Sequence, residues 1–340
     1  MINSKNRRPL MAAMLSTTLI SAASAARGAN SGEESPNHNG GDYVLVDDAR
    51  LHYVESGSGQ PLILLHGNDG TAQDFTMSIF DQLARKYRTL AFDRPGHGNS
   101  ENPSGVVATP EVQARMLHDA LQKLNVVHPV LVAHSWSGSL ALSYALQYPG
   151  SIRGLVLFGA MAYGTKTDVG KPIYYMGQMP ILGTMFGTAF KAVGRTVVER
   201  LLRQAFMPDQ APQDYVDKFL KSTLRLSQLR AFVRDQMYIN PALRKMSPHY
   251  SSITVPVVIV TGDADRTVSP KSNSFHLHKA IPSSRLIVLH NAGHQLQFTR
   301  PAELLSAIDL VTQTATVGLD TASAQASQIS PDATAFFAPK

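Results

Sequence analysis

The chain has 340 residues, 44% of them apolar and 16% charged, which is enough to build one large packed domain or two small ones. It has no cysteine, so disulfides, thiolate catalysis and Cys-ligated metals are excluded. Setting aside residues 1–26 removes Lys5, Arg7 and Arg8 and lowers the formal net charge from +6 to +3; no remaining basic cluster is interleaved with aromatics, so nucleic-acid binding is not expected.

The chain opens on a basic start, an apolar run from Leu10 to Ile20 and the small-residue stretch Ser21 to Ala26. That layout predicts a secretory signal peptide over 1–26, with an apolar run too short to span a bilayer. A periplasmic or secreted mature chain without stable membrane insertion is the expectation. Residues 27–41 are polar and turn-rich and read as a linker. Strands are predicted at 42–46 and 51–55. The continuous apolar run Pro61 to Leu65 suits a strand buried on both faces of a parallel sheet. A helix over 72–87, a strand at 88–92 and a helix over 110–124 follow, the last with Thr109 as N-cap and Pro110 at its first position. Then come a strand at 128–133, a helix over 136–148 and a strand at 152–158.

The alternation stops at residue 160. Leu220, Leu224, Phe232, Val233 and Met237 share a face of one helix or a pair. The pattern resumes with a strand at 256–261, a helix over 270–280, a strand at 285–289 and a helix over 301–311. Strand and helix alternation predicts an α/β fold, a mostly parallel doubly wound sheet with an inserted helical lid over the carboxyl ends of the strands. The expected domains are therefore core residues 42–159, a helical lid over 160–249, core residues 250–312 and a flexible tail over 313–340. Residues 161–246 carry thirteen Lys or Arg against six Asp or Glu, a balance of +7. These read as a solvated face with a weak attraction for anions. Met176, Met179, Met185 and Phe186, with Tyr174 and Tyr175, are candidates to line an adaptable apolar pocket.

Chemistry concentrates at strand ends. Ser135 falls between the strand ending at Ala133 and the helix from Trp136, where a tight turn thrusts a side chain out of the sheet and the helix start offers free N–H groups. Ser137 would lie inside the helix, too late for the turn. His66-Gly67-Asn68 follows the strand 61–65. The Asn68 and Trp136 backbone N–H groups are candidates to hold an oxyanion together, while His66 reads as structural. Asp265 and His294 each follow a predicted strand. An imidazole takes a serine proton only when its other nitrogen is held by an acceptor, which a buried carboxylate supplies. Asp265 is preferred to Asp263, which suits a turn hydrogen bond.

The stretches Leu65-His66-Gly67-Asn68, Asp93 to Ser100, His134-Ser135-Trp136-Ser137-Gly138, Gly262-Asp263-Ala264-Asp265 and Gly293-His294 together resemble the α/β-hydrolase superfamily in its lidded, esterase-like branch, over roughly 43–311. The resemblance implies Ser135 as nucleophile, Asp265 as acid, His294 as base and Asn68 and Trp136 as oxyanion donors. It also implies a structural role for the Asp93–Ser100 loop. The chain departs from the family at the elbow. Gly-x-Ser-x-Gly reads Ala133-His134-Ser135-Trp136-Ser137, with small residues at both glycine positions. Aspartate-nucleophile members, such as haloalkane dehalogenases and epoxide hydrolases, are disfavoured by Ser135.

The leading expectation is hydrolysis of a carboxylic ester with a small or medium apolar part. Alternatives are a lactone or carbon–carbon bond hydrolase, a cofactor-free haloperoxidase-like enzyme, and a non-catalytic binding protein of the same fold. No cofactor and no metal are expected. His276 and His278 are two apart, on different sides of a helix, and no HExxH motif is present. Nothing in the pattern specifies an oligomeric state.

Overall fold

The computed structural model describes residues 40–164 and 194–313. The expected signal peptide, nearly all of the linker and nearly all of the tail lie outside the described residues, as do Tyr174, Tyr175, Met176, Met179, Met185 and Phe186. Eight strands form one sheet: β1 Asp42–Val46, β2 Ala49–Ser56, β3 Pro61–Leu65, β4 Arg88–Phe92, β5 Val130–His134, β6 Gly154–Phe158, β7 Val257–Gly262 and β8 Ser284–Leu289. Their order is β1-β2-β4-β3-β5-β6-β7-β8. β1 pairs antiparallel with β2, and β2 antiparallel with β4. All later pairings are parallel.

Parallel strands bury both faces, which explains their near-continuous apolar runs. Ile63, Leu65, Leu131, Ala133, Leu155 and Leu157 point into one core, beneath α3 (Pro110–Lys123) and α4 (Ser137–Gln147). Leu62, Leu64, Val130, Val132, Val156 and Phe158 point into the other. There they meet the short helices α1 (Gln73–Thr76) and α2 (Phe80–Ala84) and a helix over 301–313. Each of the Val, Leu, Ile and Phe side chains among these, taken wholly from water, contributes about 1.5–3 kcal/mol.

Two predicted helices are shorter than the pattern indicated. The expected helix over 72–87 is interrupted between α1 and α2, where Ser78 Oγ donates to the carbonyls of Asp74 (2.6 Å) and Phe75 (3.3 Å). A hydroxyl competing for helical carbonyls loosens the turn. The helix expected over 270–280 begins only at Ser274. Just before it, Asn273 turns its Oδ1 to the N–H groups of Ala162 and Tyr163, at 3.0 and 3.1 Å. Thr109 does cap α3, accepting from Val112 N at 3.3 Å, with Pro110 in the first turn.

Between β6 and β7 lies the helical insertion. Its described part comprises α5 (194–206), α6 (Gln213–Thr223), α7 (Leu226–Met246) and a 3-10 turn, Ser247–Ser252. The helices after it are α8 (Ser274–Ala280), α9 (Leu296–Thr299) and α10, the helix over 301–313. Leu202, Phe206, Tyr215, Val216, Phe219 and Leu220 form the insertion's own small core, against which Met77 and Phe298 pack. The buried face of α7 is partly polar: it carries Gln228, Arg234 and Asp235 among Ala231, Val233, Ile239 and Leu243. No helix among the described residues is long and apolar enough to cross a membrane.

Candidate active site

β5 ends at His134 and α4 starts at Ser137, so the chain must reverse within two residues. Ser135 takes φ +54° to do so. That left-handed conformation costs a side-chain-bearing residue about 1–2 kcal/mol and persists only when its surroundings enforce it. Here its N–H donates to Phe158 O (3.1 Å), and its carbonyl accepts from Gly138 N (3.0 Å) and Met161 N (2.9 Å). The residue is 8% exposed. Ala133 and Ser137, at the positions usually filled by glycine, are fully buried, and the Ser137 hydroxyl donates to the His66 carbonyl. The close crossing falls one residue later, at Gly138, where a Cβ would sit 2.5 Å from Ala160 Cβ.

Asp265 and His294 come from the loops after β7 and β8. Asp265 Oδ2 lies 2.7 Å from His294 Nδ1, with both side chains buried. Asp265 Oδ1 accepts from Thr267 N (2.8 Å) and Val268 N (2.9 Å), which fixes the carboxylate before it meets the ring. With Nδ1–H given to the carboxylate, Nε2 is the free base. Asp263 faces elsewhere: exposed, it accepts from Asn291 N at 2.7 Å and pairs with His290 at 2.9 Å. Its carboxyl is held below the usual range chiefly by the His290 hydrogen bond. Gly159 (φ +52°) lets His294 approach the end of β6, since a Cβ there would lie 2.9 Å from His294 Nδ1.

Asn68 follows Gly67, whose Cβ position is 3.3 Å from Ser135 Cβ. Among the described residues, neither the Asn68 nor the Trp136 backbone N–H meets a protein acceptor. One side chain braces both. Arg94, 1% exposed, donates through Nη2 to the carbonyls of Gly67 (2.9 Å) and Asn68 (3.4 Å) and stacks 4.2 Å over the Trp136 ring. Its Nη1 donates to Asp235 Oδ2 (2.6 Å) and Gln113 Oε1 (3.0 Å). His66 lies beneath, its Nδ1 at 2.7 Å from Gly67 O and its Nε2 accepting from Arg94 N at 2.9 Å. Burial, then the Arg94 charge, keep His66 neutral.

Three residues here escaped the sequence reading. The elbow motif gives His134 no role of its own, yet its ring stacks on Phe158 at 4.7 Å and lies 4.6 Å from the His294 ring. Arg94 and Asp235 are brought together by the fold alone; the only signal was one acid on an otherwise basic, half-apolar helix. Among the described residues, no group of three or more His, Asp or Glu side chains is arranged to hold a metal ion.

The sequence profile described as the alpha/beta hydrolase fold matches residues 60–301. The chain belongs to this family. A lipase from Psychrobacter immobilis is 23% identical over 261 residues, 74% of this chain and 77% of its own. A 2-hydroxy-6-oxononadienedioate/2-hydroxy-6-oxononatrienedioate hydrolase from Burkholderia vietnamiensis is 27% identical over 274 residues, 75% of this chain and 88% of its own. Among solved structures, an esterase from Exiguobacterium antarcticum superposes with a TM-score of 0.66 at 22% identity, covering 80% of this chain and 99% of its own.

Proposed function

We propose that this member of the α/β-hydrolase family is a serine hydrolase that cleaves carboxylic esters with a small or medium apolar part. Ser135 Oγ attacks the carbonyl carbon as His294 Nε2 takes its proton. The resulting oxyanion is held by the N–H groups of Asn68 and Trp136. Collapse expels the alcohol, protonated by His294, and leaves an acyl-enzyme. Water, deprotonated by the same nitrogen, attacks the ester so formed, and the acid leaves as Ser135 recovers its proton. Asp265 keeps the ring oriented and offsets its transient positive charge.

The observation that carries this reading is the buried 2.7 Å Asp265–His294 pair, whose imidazole ring lies 4.6 Å from the ring of His134, the residue before a serine held at φ +54°. The test is fluorophosphonate labelling combined with turnover of p-nitrophenyl esters of graded chain length. Ser135→Ala should abolish labelling. Ser135→Ala and His294→Ala should each cut kcat by about a thousandfold or more with the fold intact. A wild type that neither labels nor turns over any ester of the series overturns the reading and favours a binding protein of this fold.

A second reading is hydrolysis of a carbon–carbon bond next to a ketone, supported by the name of the Burkholderia relative at 27% identity. Turnover of a vinylogous diketone acid with no ester turnover would replace the first reading by this one. In either case the described helices of the insertion, α5 to α7, serve as part of the lid. Residues 1–26 direct export to the periplasm or beyond; the mature chain should begin near Ala26 or Arg27, and recovery from the native cytoplasm with Met1 intact overturns this.

A further inference from the structure

Two adjacent polar side chains on the turn after β3 have no part in the reaction above. Asn68 is 7% exposed, and neither Oδ1 nor Nδ2 of its amide has a hydrogen-bond partner. A buried amide left bare costs about 1–3 kcal/mol, and folded proteins rarely keep one without a use. Asp69 follows it. The Asp69 backbone is fixed at the seam between core and insertion, its carbonyl accepting from Thr223 Oγ1 and Gln228 Nε2, both at 3.4 Å. Its carboxylate bonds only to its own N–H, and among the described residues no cation pairs with it. The nearby Arg94 guanidinium is already held by Asp235, Gln113 and the Gly67 carbonyl.

The pair follows a glycine that abuts the candidate nucleophile. Gly67 places the turn against Ser135 and the His134 ring, each 3.3 Å from its Cβ position. Burial raises the Asp69 carboxyl above its ordinary value, against its own N–H and the nearby His294 and Arg94, so an approaching positive group would relieve it further. A carboxylate only accepts hydrogen bonds, and the neighbouring amide oxygen adds a further acceptor. An anion would meet like charge there. With the Asn68 N–H assigned to the oxyanion, the Asn68 and Asp69 side chains branch from the two residues that follow Gly67 at the turn against Ser135.

We propose that Asn68 and Asp69 form a subsite for a hydrogen-bond-donating group, a protonated amine or a hydroxyl, carried next to the scissile carbonyl of the substrate. This rests on the ester-hydrolase reading and narrows it: the acyl part is apolar in its body and polar beside the reacting carbon. It also runs against the basic balance of the insertion, which taken alone favours anions.

The test uses ethyl esters of alanine, lactic acid and isobutyric acid with monoethyl succinate, followed by pH-stat below the amine pKa. The methyl of isobutyrate stands in for the amine or hydroxyl. Intrinsic reactivities cancel when the alanine-to-isobutyrate ratio of kcat/KM is compared between wild type and Asp69→Asn. That ratio should fall by about ten- to a hundredfold, the size of a hydrogen bond to a charged group. Asn68→Ala, which keeps its backbone N–H, should lower it less, and monoethyl succinate should gain in Asp69→Asn. Loss on the alanine ester alone identifies an ammonium; equal loss on the lactate ester identifies a neutral donor. Asp69→Ser replaces Asp69→Asn if the amide fails to fold. Turnover of isobutyrate with an unmoved ratio overturns the subsite and leaves the hydrolase standing. No turnover of any ester, with no fluorophosphonate labelling, overturns both.

Discussion

His134 Nε2 lies 3.2 Å from the backbone carbonyl of His294, so the residue before the elbow serine holds the main chain of the candidate base. His134 is kept neutral by burial and by the nearby His294, and its Nδ1 has no partner, so Nε2 carries the proton and donates. His134→Phe preserves the stack on Phe158 and removes this hydrogen bond. We expect kcat to fall about tenfold with KM little changed, since an ångström of misplacement is felt mainly in the chemical step. Steady-state kinetics on a p-nitrophenyl ester check it; unchanged kcat would show that the bond does not position the ring.

Gly159 makes a sharper case. A Cβ there meets His294 Nδ1 and Cε1 at 2.9 and 3.0 Å, and the φ of +52° disfavours any side chain. Gly159→Ala should displace the imidazole from Asp265 and lower kcat by about a hundredfold or more, with a loss of stability of about 1–2 kcal/mol. Kinetics and urea unfolding on the same preparation separate the two effects.

Asp74 links stability to pH. Its carboxyl, 4% exposed, accepts from Tyr215 Oη at 2.9 Å, and burial pushes it up to about 7, with Asp69 and Asp93 adding repulsion. A carboxyl raised in the folded state favours folding while protonated, and that advantage is lost as pH rises from about 4 toward 7. Asp74→Asn keeps an acceptor for Tyr215 and never ionises. Its Tm should exceed that of the wild type at pH ~8 and lose this excess near pH ~4. Scanning calorimetry at both pH values reads the difference directly, and an equal Tm gap at both would refute the assignment.

Three buried histidines act with the opposite sign. His66 and His134 are held well below their ordinary value and His97 near 4, in each case chiefly by burial. A histidine lowered in the folded state contributes stability above its unfolded value, lost as pH falls through the folded one. The unfolding free energy of the wild type should therefore drop between pH ~6.5 and ~4 despite the contribution of Asp74. His97 accepts from Gln228 at Nδ1 (2.9 Å) and donates to Asp235 (3.0 Å), so His97→Gln retains the hydrogen-bonding types and should flatten that slope. Urea titrations across this pH range test it.

Much of the fold was legible because parallel strands leave unbroken apolar runs, and because Thr109-Pro110 marks a helix start with a mechanism. The carboxylate and imidazole singled out by their place after strands do meet, and Asp263 does turn aside. What was hidden depended on distance or direction. An apolar run does not say whether a strand is antiparallel, so the reversal of β2 went unseen. The helical period over 72–87 does not show that the Ser78 hydroxyl bonds to two carbonyls and interrupts the helix. The basic residues of α7 read as a solvated face, but Arg234 is buried, with Nη2 on the Pro95 carbonyl at 3.1 Å.

Asp235 also governs what could be exchanged between relatives. It comes from the insertion, yet it neutralises a guanidinium at the floor of the core, and Gln113 and His97 share its oxygens. A transplanted insertion without an acid at that place would strand Arg94 as an unmatched charge, at a cost of about 3–5 kcal/mol, and would slacken the brace under Asn68 and Trp136. Grafting for a new specificity must therefore carry the acid along or replace Arg94 at the same time. The insertion is not an accessory laid on a finished scaffold, and the two should melt in a single transition.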